Sequence, residues 1–180
     1  GISGLGDESV TLSDTSLAST VLNTLDGNTT GTVNAATVAT LTGTAAAANT
    51  AYASSGISGL GNEAITISDS SINASLLNTL GGNTTGVINA STVTAISGSV
   101  SDINTSYSSS GISGLGNEAV TLSDTTLAVA TLNTLNGNTT GVVNAATVAT
   151  LTGAAAAMNT AYTAGGNSEI SGLGNEAITL

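Results

Sequence analysis

The feature that most restricts this chain is an internal repeat. The string GISGLG begins at Gly1, Gly56 and Gly111, so the sequence returns on itself every 55 residues. A fourth start, ISGLGNEAITL, begins at Ile170, three residues late, with the additional residues near 165–169. Residues 1–55 and 111–165 are identical at 42 positions, and 1–55 and 56–110 at 30. Such likeness within one chain means one shape made repeatedly, each copy burying its faces against the next. The organisation reads as repeats 1–55, 56–110 and 111–169 and the start of another at 170–180. Together they read as one continuous solenoid, cut from a longer chain.

Each copy carries two helix signals. In SDTSLASTVLNTLDG, Ser13 or Asp14 is placed to accept from the free amides of a first turn, and Leu17, Val21, Leu22 and Leu25 fall on one apolar face. Asp26, Gly81 and Asn136 share the position after the last Leu, and all three types tolerate a left-handed helix end. In TGTAAAANTAY, Thr42 is the candidate cap and Ala45, Ala48 and Tyr52 share a face. The pieces ISGL, VTL, TVN and ATL read as strands of three or four residues. Laying one half-copy on the other matches Ile2 with Val33 and Leu12 with Leu41. A copy is then two strand–strand–helix coils of about 31 and 24 residues, a length that suits one turn of a solenoid.

The expected fold is therefore an α/β repeat, a solenoid of short parallel strands with one helix per coil. Strands lie about 4.8 Å apart, whereas packed helices need about 8–10 Å. Two coils advance by about one helix width, so the two helix types are expected on opposite faces, each stacking once per copy.

Composition decides which functions remain. The chain has no Lys, Arg, His, Cys, Pro, Trp or Phe, and its 11 acidic residues give a net charge of −11. Without a cation it cannot neutralise phosphates, so nucleic acid is excluded as a partner, and an anionic membrane surface repels it. No apolar run is long enough to span a bilayer. Disulfides and thiolate metal sites are ruled out. Catalysis loses its His bases, Lys nucleophiles and Arg clamps, and the reading is not an enzyme. Disorder is disfavoured by 40% hydrophobic residues and a mean hydropathy of +0.35.

Polar residues recur with the repeat. Asn23, Asn78 and Asn133, then Asn34, Asn89 and Asn144, then Asn49, Asn104 and Asn159 form columns, as do Asn28, Asn83 and Asn138. They read as structural ladders, amide to amide or capping turns. Tyr52, Tyr107 and Tyr162 read as closing the Ala-rich helix with the hydroxyl toward water. Glu8, Glu63 and Glu118, with Glu176, read as carboxylates accepting turn amides, and Asp14, Asp69 and Asp124 as N-caps. Glu8, Asp14, Glu63, Asp69, Glu118 and Asp124 are also the weak candidates for Ca²⁺, which wants six to eight oxygens. The loop DGNTTG is suggestive, but its Asp26 becomes Gly81 and Asn136. No other cofactor is implied.

The strings VTLSDTSL, LNTLDGNTTGTVNAATV, LTGTAAAANTAY and SSGISGLGNEAVTLSD resemble tandem repeats of very large cell-surface proteins of cyanobacteria, especially marine unicellular ones. The likeness covers essentially the whole chain and transfers no catalytic residue. It implies an exported, extracellular, filamentous or surface-layer protein built from many copies. The leading expectation is thus a structural module, a spacer, sheath or stalk, that associates with itself end to end or laterally. A calcium-stiffened adhesin is the alternative. An ice-binding face is weaker, since Thr32 becomes Val87 and Val142 and so breaks a second Thr column, and a virus fibre shaft is a further reading that sequence does not separate from a host fibre.

Overall fold

A computed structural model describes residues 6–180; the first ISGL piece lies outside them. The described residues form an α/β fold of six helices alternating with short strands in four parallel sheets. They cluster into two compact units. One holds the residues up to Asp69 with Thr79–Thr92 and Ser110–Ser113; the other holds Ser70–Asn78, Val93–Ser109 and Gly114–Leu180.

In the first unit, β1 (Val10–Thr11), β3 (Val33–Asn34) and β5 (Ile57–Ser58) form a three-stranded sheet. A five-stranded sheet runs β2 (Ser16–Ala18), β4 (Thr40–Gly43), β6 (Ala64–Ile67), β8 (Ile88–Asn89), β10 (Ile112–Ser113). Leu17, Leu41, Ile65, Ile88 and Ile112 stand opposite one another across it. Three of them, Leu41, Ile65 and Ile88, are at most 1% exposed. Alternate residues of β6 point in and out, as the pleat demands.

The second unit repeats this plan. Its five-stranded sheet is β7 (Ser71–Asn73), β9 (Ala95–Gly98), β11 (Ala119–Leu122), β13 (Val143–Asn144), β15 (Ile170–Ser171). Its three-stranded sheet is β12 (Thr126–Ala128), β14 (Thr150–Thr152), β16 (Ala177–Thr179).

Strand pairing corrects the expected coil. Neighbouring strands lie 23 or 24 residues apart in sequence, or 27 where the pair spans the insertion near 165–169, and Leu41 pairs with Leu17 rather than Leu12. The helices α1 (Ser19–Gly27), α2 (Ala45–Ala53), α3 (Ala74–Asn83), α4 (Val100–Ser108), α5 (Val129–Asn138) and α6 (Ala155–Gly166) start 26 or 29 residues apart. Strand register and helix spacing therefore drift past each other. After five strands the next residue in register belongs to a helix: Asn136, 24 beyond Ile112, lies in α5, and Ala48, 24 before Ile72, lies in α2. That drift ends each sheet.

Opposite faces for the two helix types is also corrected. In the first unit α1 packs on α2, and in the second α4 packs on α5 and α5 on α6. The first helix signal divides too: Ser16–Ala18 is strand, and α1 begins at Ser19 behind Ala18, which makes no side-chain cap. Leu17 satisfies the sheet, Leu22 is fully buried and Val21 is 54% exposed, so the helix buries a narrower stripe than its sequence offers. Asp26, Gly81 and Asn136 lie inside helices that end with right-handed or extended residues where caps are described. The second helix is capped by Thr44, not Thr42, through the Ala47 amide, and by Ser99 in α4.

The insertion near 165–169 leaves the pairing intact. α6 has 12 residues where α2 and α4 have nine. That is nearly one more turn. Ile170 still pairs with Val143.

Candidate functional site

The most elaborate recurring polar arrangement sits where each GNE loop meets the end of an Ala-type helix. Glu63 is fully buried, without any cation in the chain to balance it. Its carboxylate turns back onto its own loop, accepting the Gly61 amide at 2.9 Å and the Asn62 amide at 3.2 Å. The Tyr52 hydroxyl donates to the same oxygen at 2.6 Å. From the next TTG triplet, Thr84 donates to the Glu63 carbonyl at 2.7 Å and accepts the Gly86 amide at 3.0 Å. A Cβ at Gly86 would overlap that carbonyl, which is why glycine stands there.

Glu118 repeats the cluster with Gly116, Asn117, Tyr107 and Thr139. Its Oε1 is buried without a hydrogen-bond partner, whereas Oε1 of Glu63 and of Glu176 accepts a glycine amide. Glu176 has Gly174 and Tyr162. Glu8 has the Gly6 amide and the Thr29 clasp on its carbonyl, and no tyrosine among the described residues. Buried carboxylates are held here by donors alone.

Burial first, and the facing carboxylate with it, pushes the Tyr52 hydroxyl well above its usual range. Burial also raises Tyr107 and Tyr162. Such a hydroxyl stays protonated and serves as a donor. The expected solvent-directed tyrosine is thus corrected: each hydroxyl is spent on a glutamate. At Glu8 the Gly6 amide lowers the pKa. At Glu176 burial works upward, but the Gly174 amide and the Tyr162 hydroxyl outweigh it and the net shift is down.

The aspartates act at long range. Asp69 accepts the Ala45 amide of α2 at 2.8 Å, and Asp124 the Val100 amide of α4 at 2.7 Å, each 24 residues away. The reading of Asp14, Asp69 and Asp124 as caps of the helix that follows them is corrected: the helices they cap precede them in sequence. Carboxylates suit the positive end of a helix. The Asp14 carboxylate is exposed and caps no helix among the described residues. Of the six calcium candidates, four thus hold amides at separate places, Glu8 holds its own loop, and no three acidic groups come together among the described residues.

The asparagine columns bond mostly to backbone and to one another's columns. Asn23, Asn78 and Asn133 donate to carbonyls of the next helix, at Ala47, Asp102 and Ala157. Asn34, Asn89 and Asn144 each accept an amide two residues on, closing a turn after the strand. Asn83 and Asn138 donate to Asn49 and Asn104, so amide meets amide between columns. Asn159 lines a shallow surface hollow with Asn136 and Glu169.

Sequence reasoning missed the TTG clasp. TTG returns unchanged at 29–31, 84–86 and 139–141, a signal that was present. No helix of the described residues is long and apolar enough to cross a membrane. No protein-family model, curated protein or solved structure matches this chain.

Proposed function

We propose that this chain is a structural repeat module of a long extracellular or cell-surface filament or surface layer, acting as spacer, sheath or stalk. In this reading the 55-residue copies wind into a solenoid of short parallel strands, and copies associate with themselves end to end. One observation carries it: the recurring Glu, Tyr and Thr side chains, with Asp69 and Asp124, spend their hydrogen bonds inside the fold, copy after copy. An enzyme would aim such groups at a shared cleft. Uniform acidity supports the same role, because like-charged filaments stay apart and soluble.

The test is length. Chains holding residues 2–169 once, twice and four times in frame, so that Ile2 follows Glu169 at each joint, and closed by 170–180, are imaged by negative stain, with and without a calcium chelator. Contour length rising in proportion to copy number supports the module. Particles whose size grows only as a compact globule does, roughly as the 0.38 power of residue number, refute it. Antibody labelling of intact source cells tests the surface location separately.

A further inference from the structure

Six asparagines stand in the pattern Asn-x-Ser or Asn-x-Thr: Asn28, Asn73, Asn83, Asn89, Asn104 and Asn138. In an exported chain that pattern is the acceptor for an N-linked oligosaccharide. The fold separates the six. Ser106, the third residue of the Asn104 site, is 1% exposed and donates to Asn78. At Asn28, Asn83 and Asn138 the pattern is part of the threonine clasp. Its third residue, Thr30, Thr85 or Thr140, gives its hydroxyl to the carbonyl of Gly6, Gly61 or Gly116. The side-chain amides of Asn83 and Asn138 donate to Asn49 and Asn104.

Asn73 and Asn89 are placed differently. Each is the last residue of its strand, β7 or β8, and each is exposed, as are Ser75 and Ser91. Oδ1 of Asn73 accepts the Ser75 amide at 3.0 Å and the Ser75 hydroxyl at 2.7 Å. Oδ1 of Asn89 accepts the Ser91 amide at 3.0 Å. With Oδ1 turned onto the chain's own next turn, Nδ2 is directed away from that turn, and Nδ2 is the atom that takes a sugar. Both sites belong to residues 56–110. Asn34 and Asn144 make the same turn as Asn89, through the amides of Ala36 and Ala146, but alanine stands there in place of Ser91. Ala18 and Ala128 stand in place of Asn73.

We propose that Asn73 and Asn89 carry N-linked oligosaccharides on the folded chain, and that the other four acceptor patterns stay bare. In the transfer, Nδ2 attacks the anomeric carbon of an oligosaccharide carried on a lipid pyrophosphate. A carbon–nitrogen bond forms, the bond from that carbon to the pyrophosphate oxygen breaks, the lipid pyrophosphate leaves with the electron pair, and Nδ2 releases one proton. The transferase and the lipid-linked donor belong to the exporting cell. The exposed serine two residues on completes the pattern that such an enzyme reads. Neither asparagine is part of the core, so the sugars extend into solvent without repacking. Charged residues are 6% of the chain, and glycans add solvation that charged side chains supply elsewhere. The proposal rests on the cell-surface reading, because only an exported chain meets such a transferase.

The experiment has two arms. Protein from its source cells is cut with glutamyl endopeptidase, which cleaves after Glu63 and Glu118 and releases 64–118 with both asparagines. Tandem mass spectrometry is expected to find sugar on Asn73 and Asn89, and none on Asn83 or Asn104. In the second arm the folded 180-residue chain is incubated with a purified oligosaccharyltransferase and its lipid-linked donor. Addition at Asn73 and Asn89 is expected. Ser91→Ala loses the addition at Asn89, and Ala36→Ser gains one at Asn34, because it completes the pattern on the same turn. Both substitutions are small and exposed, circular dichroism checks their folding, and the unaltered chain decides if either misfolds. Bare Asn73 and Asn89 on a chain that antibody labels at the cell surface overturn the proposal and leave the filament reading standing. A chain absent from the surface overturns both. Sugar placed on the folded chain at the clasp asparagines instead of Asn73 and Asn89 also overturns the proposal.

Discussion

Ser106 offers a measurement of what one buried hydroxyl contributes, because its counterparts in α2 and α6 are Ala51 and Ala161. Ser106 is 1% exposed and donates to Asn78 Oδ1 at 2.7 Å. Asn78 meanwhile donates its amide hydrogen to the Asp102 carbonyl, which fixes which way the amide faces. Asn23 and Asn133 are held the same way by Ala47 and Ala157, and their Oδ1 atoms are buried with no donor. Ser106→Ala should put Asn78 in that state. An orphaned buried acceptor costs about 1–3 kcal/mol, and the better helix propensity of alanine returns about 0.5 kcal/mol. The expected loss is about 1–2 kcal/mol. Ala161→Ser runs the argument backward and should gain about 0.5–1.5 kcal/mol, or a rise in Tm of a few degrees for a chain of this size. Urea unfolding at one fixed, low protein concentration reads both. If Ala161→Ser is neutral or destabilising while Ser106→Ala costs under about 0.3 kcal/mol, the orphaned amide oxygens carry no penalty and the reasoning fails.

Other outcomes follow from single groups. The Ser19 hydroxyl is fully buried without a partner among the described residues, where the other copies have Ala74 and Val129, so Ser19→Ala should stabilise by about 1 kcal/mol in the same assay. Tyr107→Phe removes a donor from buried Glu118 and should cost about 1–3 kcal/mol; an unchanged unfolding midpoint would mean that water replaces the hydroxyl. Glu8 and Glu176 are more acidic in the fold than their ordinary 4.5, so their stabilisation is present above that pH and lost as pH falls through the lower folded values. The tyrosines are raised from 10.0, so their contribution is intact below pH 10.0 and is lost as pH rises beyond it. Unfolding free energy measured across both limbs checks the pair, and a profile flat above pH 10.0 would contradict the tyrosine assignment.

The strands in VTL, TVN and ATL were legible because alternating β-branched residues bounded by turn formers have few other uses. Ser16–Ala18 was not, since Leu17 fits a helical stripe with Leu22 as well as it fits a sheet column. The aspartate caps were read as local because local capping is the pattern a sequence displays; a partner 24 residues away carries no such mark. Tyr52 and Glu63 are 11 residues apart, and only the fold brings them to 2.6 Å. Their recurrence was visible, and their attachment to each other was not.

The 24-residue register and the 55-residue copy share no common boundary. Residues 56–110 lend β5 to one sheet, β6 and β8 to a second, and β7 and β9 to a third. Sheets and copies are laid like courses of brick, because each five-stranded sheet draws its strands from three successive copies. Genetic change inherits that bond pattern. Gain or loss of one whole copy leaves every sheet with the same kinds of strand, while a partial copy breaks several at once. Smaller changes are tolerated only where a helix can take them up, as α6 does with three residues. A lineage of such chains can therefore alter its length freely, but only in whole courses.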